Sequence, residues 1–305
     1  MSTSDDLLWT LPVQLTETLH RDIYDLISPE NPANNQQGKI ILITGGGSGI
    51  GAAAARVWVR AGAEGVVIAG RREDVLQKTA VELTLLGQGK TKILAVPTNI
   101  ASENDVENLY AEVKKRFGRT ADVVIANAGA VPPTKPLAEL DINTWWAGYE
   151  VNVKGMHNTV VHWIRSQANP KEPEGTFINV SSGLAGIKIP GGSAYGSSKL
   201  AGHRYTEYIG LDYPKIRAFT TIPGVVMTDV LKEEEWLHPF AKDAPEMTGG
   251  LALYLSSSRA DFLKSSLISV NWDLETIEAH KKEVEEGALQ AHWIPLLPMA
   301  GGKGW

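Results

Sequence analysis

The stretch Lys39-Ile-Ile-Leu-Ile-Thr-Gly-Gly-Gly-Ser-Gly-Ile-Gly51 decides the fold of this chain. Its apolar first half lacks polar alternation, which is typical of a strand buried on both faces of a sheet. Glycines follow directly, and an apolar helical pattern runs on from Gly51 to Ala61. Glycine lets a backbone approach a phosphate closely, and the start of a helix offers free N–H groups to an anion. The turn therefore predicts a phosphate-binding site between a strand and a helix.

The spacing within this turn leaves two registers open. Gly45, Gly49 and Gly51 fit the pattern Thr-Gly-x3-Gly-x-Gly, whereas Gly47, Gly49 and Ala52 fit Gly-x-Gly-x-x-Ala. A Walker A loop is excluded, because neither Lys-Ser nor Lys-Thr follows the last glycine. The candidate cofactor-binding residues of the turn are Thr44, Gly45, Gly47, Ser48, Gly49, Ile50 and Gly51.

Strand patterns alternate with helix patterns along the rest of the chain. The predicted strands are 40–43, 65–70, 91–96, 122–126, 175–181, 216–222 and 267–270. The predicted helices are 51–61, 73–86, 102–117, 143–167, 195–212 and 246–257. This alternation predicts an α/β fold with a single doubly wound Rossmann-type domain, in which helices cover both faces of a seven-stranded parallel sheet.

The predicted domain spans residues 38–271 and is flanked by two shorter segments. Residues 1–37 are expected to form an arm and a linker, and the helical spacing of Leu15, Leu19, Ile23 and Leu26 predicts a short helix in the arm. Residues 272–305 are expected to form a C-terminal helix and a tail rich in proline and glycine.

Composition excludes several classes of protein. Hydrophobic residues make up 43% and charged residues 21% of the 305-residue chain, so a large core can form and global disorder is excluded. A net charge of −6 argues against nucleic-acid partners and against a basic membrane anchor. The absence of cysteine excludes disulfides and thiolate catalysis, and the histidines show no metal-ligand spacing. We therefore expect a cytoplasmic protein without a metal site, a nucleic-acid partner or a membrane span.

A pair of arginines follows the second predicted strand. An acidic residue at this place commonly binds the adenosine ribose of NAD, but this chain has Arg71 and Arg72. A carboxylate would repel a ribose 2′-phosphate, whereas a guanidinium group pairs with it. The two arginines therefore favour NADP(H) as the cofactor.

A phenol and an amine share one face of a predicted helix, since Tyr195 and Lys199 are four residues apart. The spacing alone is not specific, because Tyr110 and Lys114 repeat it on what we expect to be a solvated helix face. Tyr195 differs because it follows Ser182, which ends a buried strand where ligands bind such sheets. A nearby ammonium group is expected to lower the pKa of the phenol toward neutrality. A serine hydroxyl can hydrogen-bond a carbonyl oxygen as charge develops there.

Taken together, these motifs resemble those of the classical-type short-chain dehydrogenase/reductase family. The resemblance covers roughly residues 38–271. It rests on Thr44-Gly45-x3-Gly49-x-Gly51, Asn127-Ala128-Gly129, Asn152, Ser182, Tyr195-x3-Lys199 and Pro223-Gly224-x3-Thr228. The arm and the C-terminal tail are similar to those of a fungal subgroup.

The resemblance implies a role for each motif residue. Tyr195 would be the general acid in reduction and the base in oxidation, Lys199 would lower its pKa and hold the nicotinamide ribose, and Ser182 would orient the carbonyl. Asn152 would hold a water that extends the proton relay from Lys199. Further implied cofactor contacts are Asn99, Ile100, Asn127, Ala128, Gly129, Tyr195, Lys199, Pro223, Gly224, Val226 and Thr228. The family also implies a homodimer or homotetramer through the helices at 143–167 and 195–212.

The predicted substrate site is apolar. Its candidate residues are Val131, Ser182, Leu184, Val225, Trp236 and Phe240, of which Trp236 and Phe240 lie in a segment expected to cover the substrate. We predict NADPH-dependent reduction of a medium-to-large ketone, or the reverse oxidation, with secondary metabolism as the expected setting. Two alternatives stay open: an epimerase or dehydratase that uses bound cofactor, and an NADP-binding cyclase or scaffold without redox turnover.

Overall fold

The computed structural model describes residues 9–232 and 235–291, except the side chains of Val230 and Trp236. Seven strands form one sheet in the order β3-β2-β1-β4-β5-β6-β7, and every neighbouring pair is parallel. The strands are β1 (Ile40–Thr44), β2 (Gly65–Gly70), β3 (Lys92–Pro97), β4 (Val123–Ala126), β5 (Gly175–Val180), β6 (Ile216–Ile222) and β7 (Leu267–Ser269). The strand order reverses between β1 and β4, which opens a ligand-binding crevice at the carboxyl ends of the strands. The predicted Rossmann-type fold is confirmed.

Helices cover both faces of the sheet. They are α1 (Gly49–Arg60), α2 (Glu73–Leu86), α3 (Glu103–Phe117), α4 (Ile142–Tyr149), α5 (Met156–Ser166), α6 (Ser193–Asp212), α7 (Met247–Leu255), α8 (Leu274–Ala279) and α9 (Lys281–Glu285). Ile41 and Ile43 of β1 lie in one buried cluster with side chains of α1 and α7. Ile40 and Leu42 lie in a second cluster with side chains of α3 and α5. Strand β1 is therefore apolar throughout because both of its faces are buried.

The predicted helix at 143–167 is present, but it is not α-helical throughout. A π-helical turn, Glu150–Gly155, separates α4 from α5 and contains Asn152. Asp141 caps the start of α4 by accepting hydrogen bonds from the backbone N–H groups of Asn143 and Thr144. Single π-helical turns occur often at functional sites, and Asn152 in this one hydrogen-bonds to Ala130 in the loop after β4.

The N-terminal arm contains no α-helix in its described part, residues 9–37. Its regular elements are three short 3₁₀ turns, Leu11–Val13, Asp25–Ile27 and Pro32–Asn34. The prediction of a helix from the spacing of its leucines is therefore wrong. The backbone of the arm instead hydrogen-bonds to the chain after β7: Leu19 forms an antiparallel bridge with Trp272, and the N–H of His20 donates to the carbonyl of Asn271 at 3.0 Å.

Tyr110 corrects a second expectation. Its side chain is buried, and its hydroxyl donates a hydrogen bond of 2.9 Å to the carbonyl of Thr159. The phenol therefore belongs to the core between α3 and α5, while Lys114 on the same helix is exposed. Tyr110 and Lys114 do not act as a pair, although their spacing matches that of Tyr195 and Lys199.

The C-terminal helix predicted after residue 271 is present as α8 and α9, and the tail at 292–305 lies outside the described residues. Within residues 9–232 and 235–291, no helix is long and apolar enough to cross a bilayer. In the same residues, no three side chains of His, Asp or Glu are grouped so as to bind a metal ion.

Candidate active site

The glycine turn between β1 and α1 adopts a backbone that other residues disfavour. Gly45 and Gly49 have φ angles of +66° and +52°, in the left-handed region. A Cβ on Gly51 would collide with the carbonyl oxygen of Gly45 and come within 2.6 Å of Nδ2 of Asn127. Glycine is therefore required at the positions of the Thr-Gly-x3-Gly-x-Gly register, and this geometry favours that register over the other. A turn of this shape in front of a helix fits a dinucleotide phosphate.

Thr44 and Asn127 join the ends of β1 and β4 beneath the turn. The hydroxyl oxygen of Thr44 accepts hydrogen bonds of 3.1 Å from the backbone N–H groups of Asn127 and Ala128. The amide of Asn127 donates to the carbonyl of Thr44 at 2.9 Å. Asn127, Ala128 and Gly129 line the crevice, whereas Thr44 and Gly51 are buried behind its wall. Thr44 and Gly51 therefore shape the predicted cofactor site without facing it.

Ser182, Tyr195 and Lys199 meet in one cavity of about 520 Å³ at the carboxyl ends of the strands. Ser182 follows β5, and Tyr195 lies in the first turn of α6, where it hydrogen-bonds to Ser182. The Nζ of Lys199 donates to the carbonyl of Val180 at 2.9 Å and lies 5.7 Å from the centroid of the Tyr195 ring. The glycine turn lines the same cavity.

Burial disfavours the charged form of both catalytic candidates. It raises the pKa of the Tyr195 phenol above 10, and the hydrogen bond to Ser182 lowers it only in part. Burial also lowers the pKa of Lys199 from 10.5 to about 8. Burial thus moves the phenol pKa in the direction opposite to the one expected from the ammonium group.

Asn152 connects the loop after β4 to α6. Its Oδ1 accepts a hydrogen bond of 2.8 Å from the N–H of Ala130, and its Nδ2 donates to the carbonyl of Ala130 and to Oγ of Ser198, both at 2.9 Å. A Cβ on Gly129 would lie 3.3 Å from both Oδ1 of Asn152 and Nζ of Lys199. The side chain of Asn152 is thus engaged in positioning this loop beside Lys199. The relay water that the resemblance implies at Asn152 stays a prediction.

Arg71 and Arg72 are exposed at the mouth of the cavity. The guanidinium group of Arg72 donates to Oγ of Ser48 at 3.2 Å and lies 4.0 Å from a carboxylate oxygen of Asp229. Lys232 and, to a lesser extent, Arg72 keep the pKa of Asp229 below its usual value. Sequence reasoning missed Asp229, which places a negative charge opposite the arginines.

Asn99 also lines this end of the cavity, together with Ile100. Its side-chain oxygen accepts a hydrogen bond from the N–H of Ala101, and its own N–H donates to Asp105. Thr228 packs over the glycine turn. Its methyl group lies so close to Gly49 that a Cβ on that glycine would be 3.1 Å away from it. Pro223, Gly224 and Val226 complete the predicted cofactor contacts that line the cavity.

The apolar part of the cavity agrees only in part with the predicted substrate residues. Val131, Leu184 and Val225 line it, whereas the side chain of Trp236 lies outside the described residues. Phe240 does not line the cavity, and Leu237 of the same 3₁₀ turn lines it instead. The chain after Phe240 folds back, and the N–H of Asp243 donates to the carbonyl of Val225. Lining residues that sequence reasoning missed include Trp9, Thr10, Val13, Ile187, Ile189 and Leu237.

A family model, curated relatives and solved structures all match this chain to short chain dehydrogenases. The family model described as short chain dehydrogenase matches residues 39–236. The chain belongs to the short chain dehydrogenase family. Members of this family are oxidoreductases that act on small molecules with a nicotinamide dinucleotide. The predicted resemblance is confirmed, and its fungal character agrees with the relatives.

Two curated relatives are fungal proteins of nearly the same length. The short chain dehydrogenase mpl6 of Monascus purpureus is 31% identical over 273 residues, which cover 88% of this chain and 92% of the relative. The short chain dehydrogenase andI of Emericella variicolor is 29% identical, with coverage of 89% and 93%. A crystal structure of a short-chain type dehydrogenase/reductase from Mycobacterium marinum superposes with a TM-score of 0.71 at 26% identity, covering 78% of this chain and 96% of that one.

Proposed function

We propose that this short chain dehydrogenase reduces a ketone to a secondary alcohol with NADPH, or catalyses the reverse oxidation. One observation carries the proposal: Ser182, Tyr195 and Lys199 line the same cavity as the glycine turn. A proton donor and a dinucleotide site must share one pocket if a proton and a hydride are to reach the two ends of a single C=O bond.

The residues that line the crevice fit a nicotinamide dinucleotide. The left-handed glycines and the start of α1 would hold its pyrophosphate, and Asn127 to Gly129 would hold the adenosine side. Arg71 and Arg72 support a preference for the 2′-phosphate of NADP(H), because a guanidinium fork pairs with a phosphate dianion. When bound, the dinucleotide supplies the hydride in reduction and accepts it in oxidation.

The side chains of the pocket divide the remaining work. In reduction, Ser182 donates a hydrogen bond to the carbonyl oxygen, and the phenol of Tyr195 gives its proton to that oxygen as negative charge develops. A phenol has an ordinary pKa of about 10 and is therefore protonated at neutral pH, as a proton donor requires. Lys199 lies near enough to the ring for its positive charge to stabilise the phenolate that remains. Asn152 holds the loop that confines Lys199.

The substrate that this pocket supports is a medium-to-large, mainly apolar ketone. Val131, Leu184 and Val225 contribute apolar surface next to the catalytic residues. Apolar walls with a few convergent polar groups favour substrates that combine a bulky hydrocarbon part with one polar reactive group.

The test is a panel of ketones of graded size, followed by the absorbance of NADPH. Net oxidation of NADPH with formation of the alcohol is expected, whereas an epimerase or a scaffold would give none. Tyr195→Phe should lower kcat by at least about a hundredfold, because it removes the proton donor. Tyr110→Phe, which removes a buried hydroxyl outside the cavity, is the matched control and should retain turnover. Full activity of Tyr195→Phe would contradict the assignment.

We further propose a homodimer or homotetramer through α4, α5 and α6, in a cytoplasmic setting. Apolar side chains on these helices, including Trp146, Tyr208 and Leu211, are exposed in the single chain. Burying them against a second copy would remove apolar surface from water. Sedimentation of the purified protein would contradict this part if it gave the mass of a single chain.

A further inference from the structure

The first described residues form a wall of the catalytic cavity. We call residues 9–21 the cavity arm. Trp9, Thr10 and Val13 line the cavity that also contains Ser182 and Tyr195. The neighbouring side chains of Leu11 and Leu15 are exposed. The cavity arm therefore presents Trp9, Thr10 and Val13 to the cavity and Leu11 and Leu15 to the solvent.

The end of β7 fixes the position of the cavity arm. The indole N–H of Trp272 donates to the carbonyl of Val13 at 2.7 Å, and the N–H of Asp273 donates to the hydroxyl of Thr16 at 3.0 Å. These bonds join the cavity arm to the segment that follows the last strand. The arm is thus held by defined hydrogen bonds at Val13 and at Thr16, and such support fixes the position of residues that line a binding site.

A buried carboxylate connects the cavity arm to the loop that follows β6. The side chain of Asp243 is inaccessible to solvent. Its Oδ1 accepts hydrogen bonds of 2.8 Å from Arg21 and from the amide of Asn271. Its Oδ2 accepts a hydrogen bond of 2.6 Å from the N–H of Val225. Val225 also lines the cavity, so one carboxylate positions two of its walls.

A second cavity, of about 280 Å³, lies on the other side of Val13. Val13, Ser182, Gly183 and Ile222 line both cavities. A Cβ on Gly183 would lie 3.6 Å from a methyl group of Val13. The Val13 side chain therefore packs against the backbone that carries Ser182, and it forms part of the partition between the two cavities.

We propose that the cavity arm determines which ketones the enzyme accepts, and that Val13 sets how far an apolar substrate tail can extend beyond Ser182. The inference rests on the proposed ketone reduction. A carbonyl held by Ser182 and Tyr195 directs one substituent toward the partition. A smaller residue at position 13 joins the second cavity to the first, and a larger one shortens the chamber.

The experiment uses the full-length chain, NADPH, and methyl ketones whose unbranched alkyl tails increase from ethyl to nonyl. The readout is the ratio of kcat/KM for the longest and the shortest ketone. Val13→Ala should raise this ratio roughly tenfold, because one or two methylene groups of pocket space change selectivity by about that factor. Val13→Ile should lower it. The exposed neighbours supply matched controls, since Leu11→Ala and Leu15→Ala should leave the ratio unchanged.

A ratio of rates separates specificity from folding, because loss of folded protein lowers the rate with every ketone equally. Equal ratios in Val13→Ala, Val13→Ile and the wild-type chain would overturn the role of the cavity arm. The affinity for NADPH is measured separately by fluorescence titration. A wild-type chain that oxidises no NADPH with any ketone would contradict the proposed function itself, whereas unchanged ratios in chains that do reduce ketones would contradict only the inference about the arm.

Discussion

Replacing Lys199 with methionine should stabilise the folded chain while it abolishes turnover. Burial lowers the pKa of Lys199 from 10.5 to about 8. At about 1.4 kcal/mol for each pKa unit, the buried ammonium group costs roughly 3 kcal/mol of folding free energy at neutral pH. Methionine fills a similar volume without charge, but it loses the hydrogen bond to Val180, which contributes about 2 kcal/mol because its donor is charged. The net gain should be about 1 kcal/mol.

The stability difference should depend on pH with a defined sign. Between pH 8 and pH 10.5 the unfolded wild-type chain binds more protons at Lys199 than the folded chain does. Wild-type stability therefore rises with pH across this window, since stability increases wherever the unfolded state holds more protons. Lys199→Met lacks this titration, so its advantage should be largest at pH 7 and should shrink above pH 8.

Calorimetric melting of the cofactor-free proteins at pH 7 and at pH 9.5 measures both effects. For a chain of this length, a gain of about 1 kcal/mol corresponds to a rise in Tm of roughly 2 °C at pH 7. Lys114→Met is the matched control, because that lysine is exposed and also lies four residues after a tyrosine. A Lys199→Met protein that melts at or below the wild-type temperature at pH 7 would refute the argument that burial makes this ammonium group costly.

Three further predictions concern the cofactor and the reaction. Arg72→Glu should weaken NADPH binding at least about tenfold and leave NADH binding nearly unchanged, as measured by fluorescence titration, because it replaces a phosphate partner with a like charge. Gly51→Ala should weaken the binding of both dinucleotides, since its Cβ would displace the Gly45 carbonyl; unchanged titration curves would contradict this. The kcat/KM for reduction should fall as pH rises through about 8, where Lys199 loses its charge. Oxidation needs the phenolate of Tyr195, so its rate should instead rise with pH up to about pH 8. pH–rate profiles measured for reduction and for oxidation test these opposite pH dependences.

The sheet and the meeting of the candidate catalytic residues in one cavity could be predicted because the signals for them are local. Every residue of β1 is buried. A strand covered by helices on both faces has a sequence that is apolar almost throughout, and this pattern can be recognised without the structure. Ser182 and Tyr195 could be located for a related reason: one follows a strand and the other begins the next long helix, so the topology brings both to the same edge of the sheet. No knowledge of distant contacts is needed for either step.

The direction of the pKa shift at Tyr195 could not be predicted, because it depends on how much water the folded pocket excludes. Sequence spacing places an ammonium group one helical turn from the phenol and correctly suggests a pair. It says nothing about burial, which raises the pKa of Tyr195 and lowers that of Lys199. A carbonyl reductase needs a protonated phenol and a charged ammonium group at the start of its cycle. These two forms therefore coexist only below about pH 8.

The cavity arm was missed because its structure is decided by contacts far apart in the chain. Leucines at helical spacing suggest a helix, yet the backbone of Val13 receives its hydrogen bond from Trp272, 259 residues away. Because the arm contributes Trp9, Thr10 and Val13 to the pocket, the short chain dehydrogenase motifs alone describe only part of the proposed substrate site. Two chains with identical catalytic motifs and different arms should therefore carry out the same chemistry on ketones of different length.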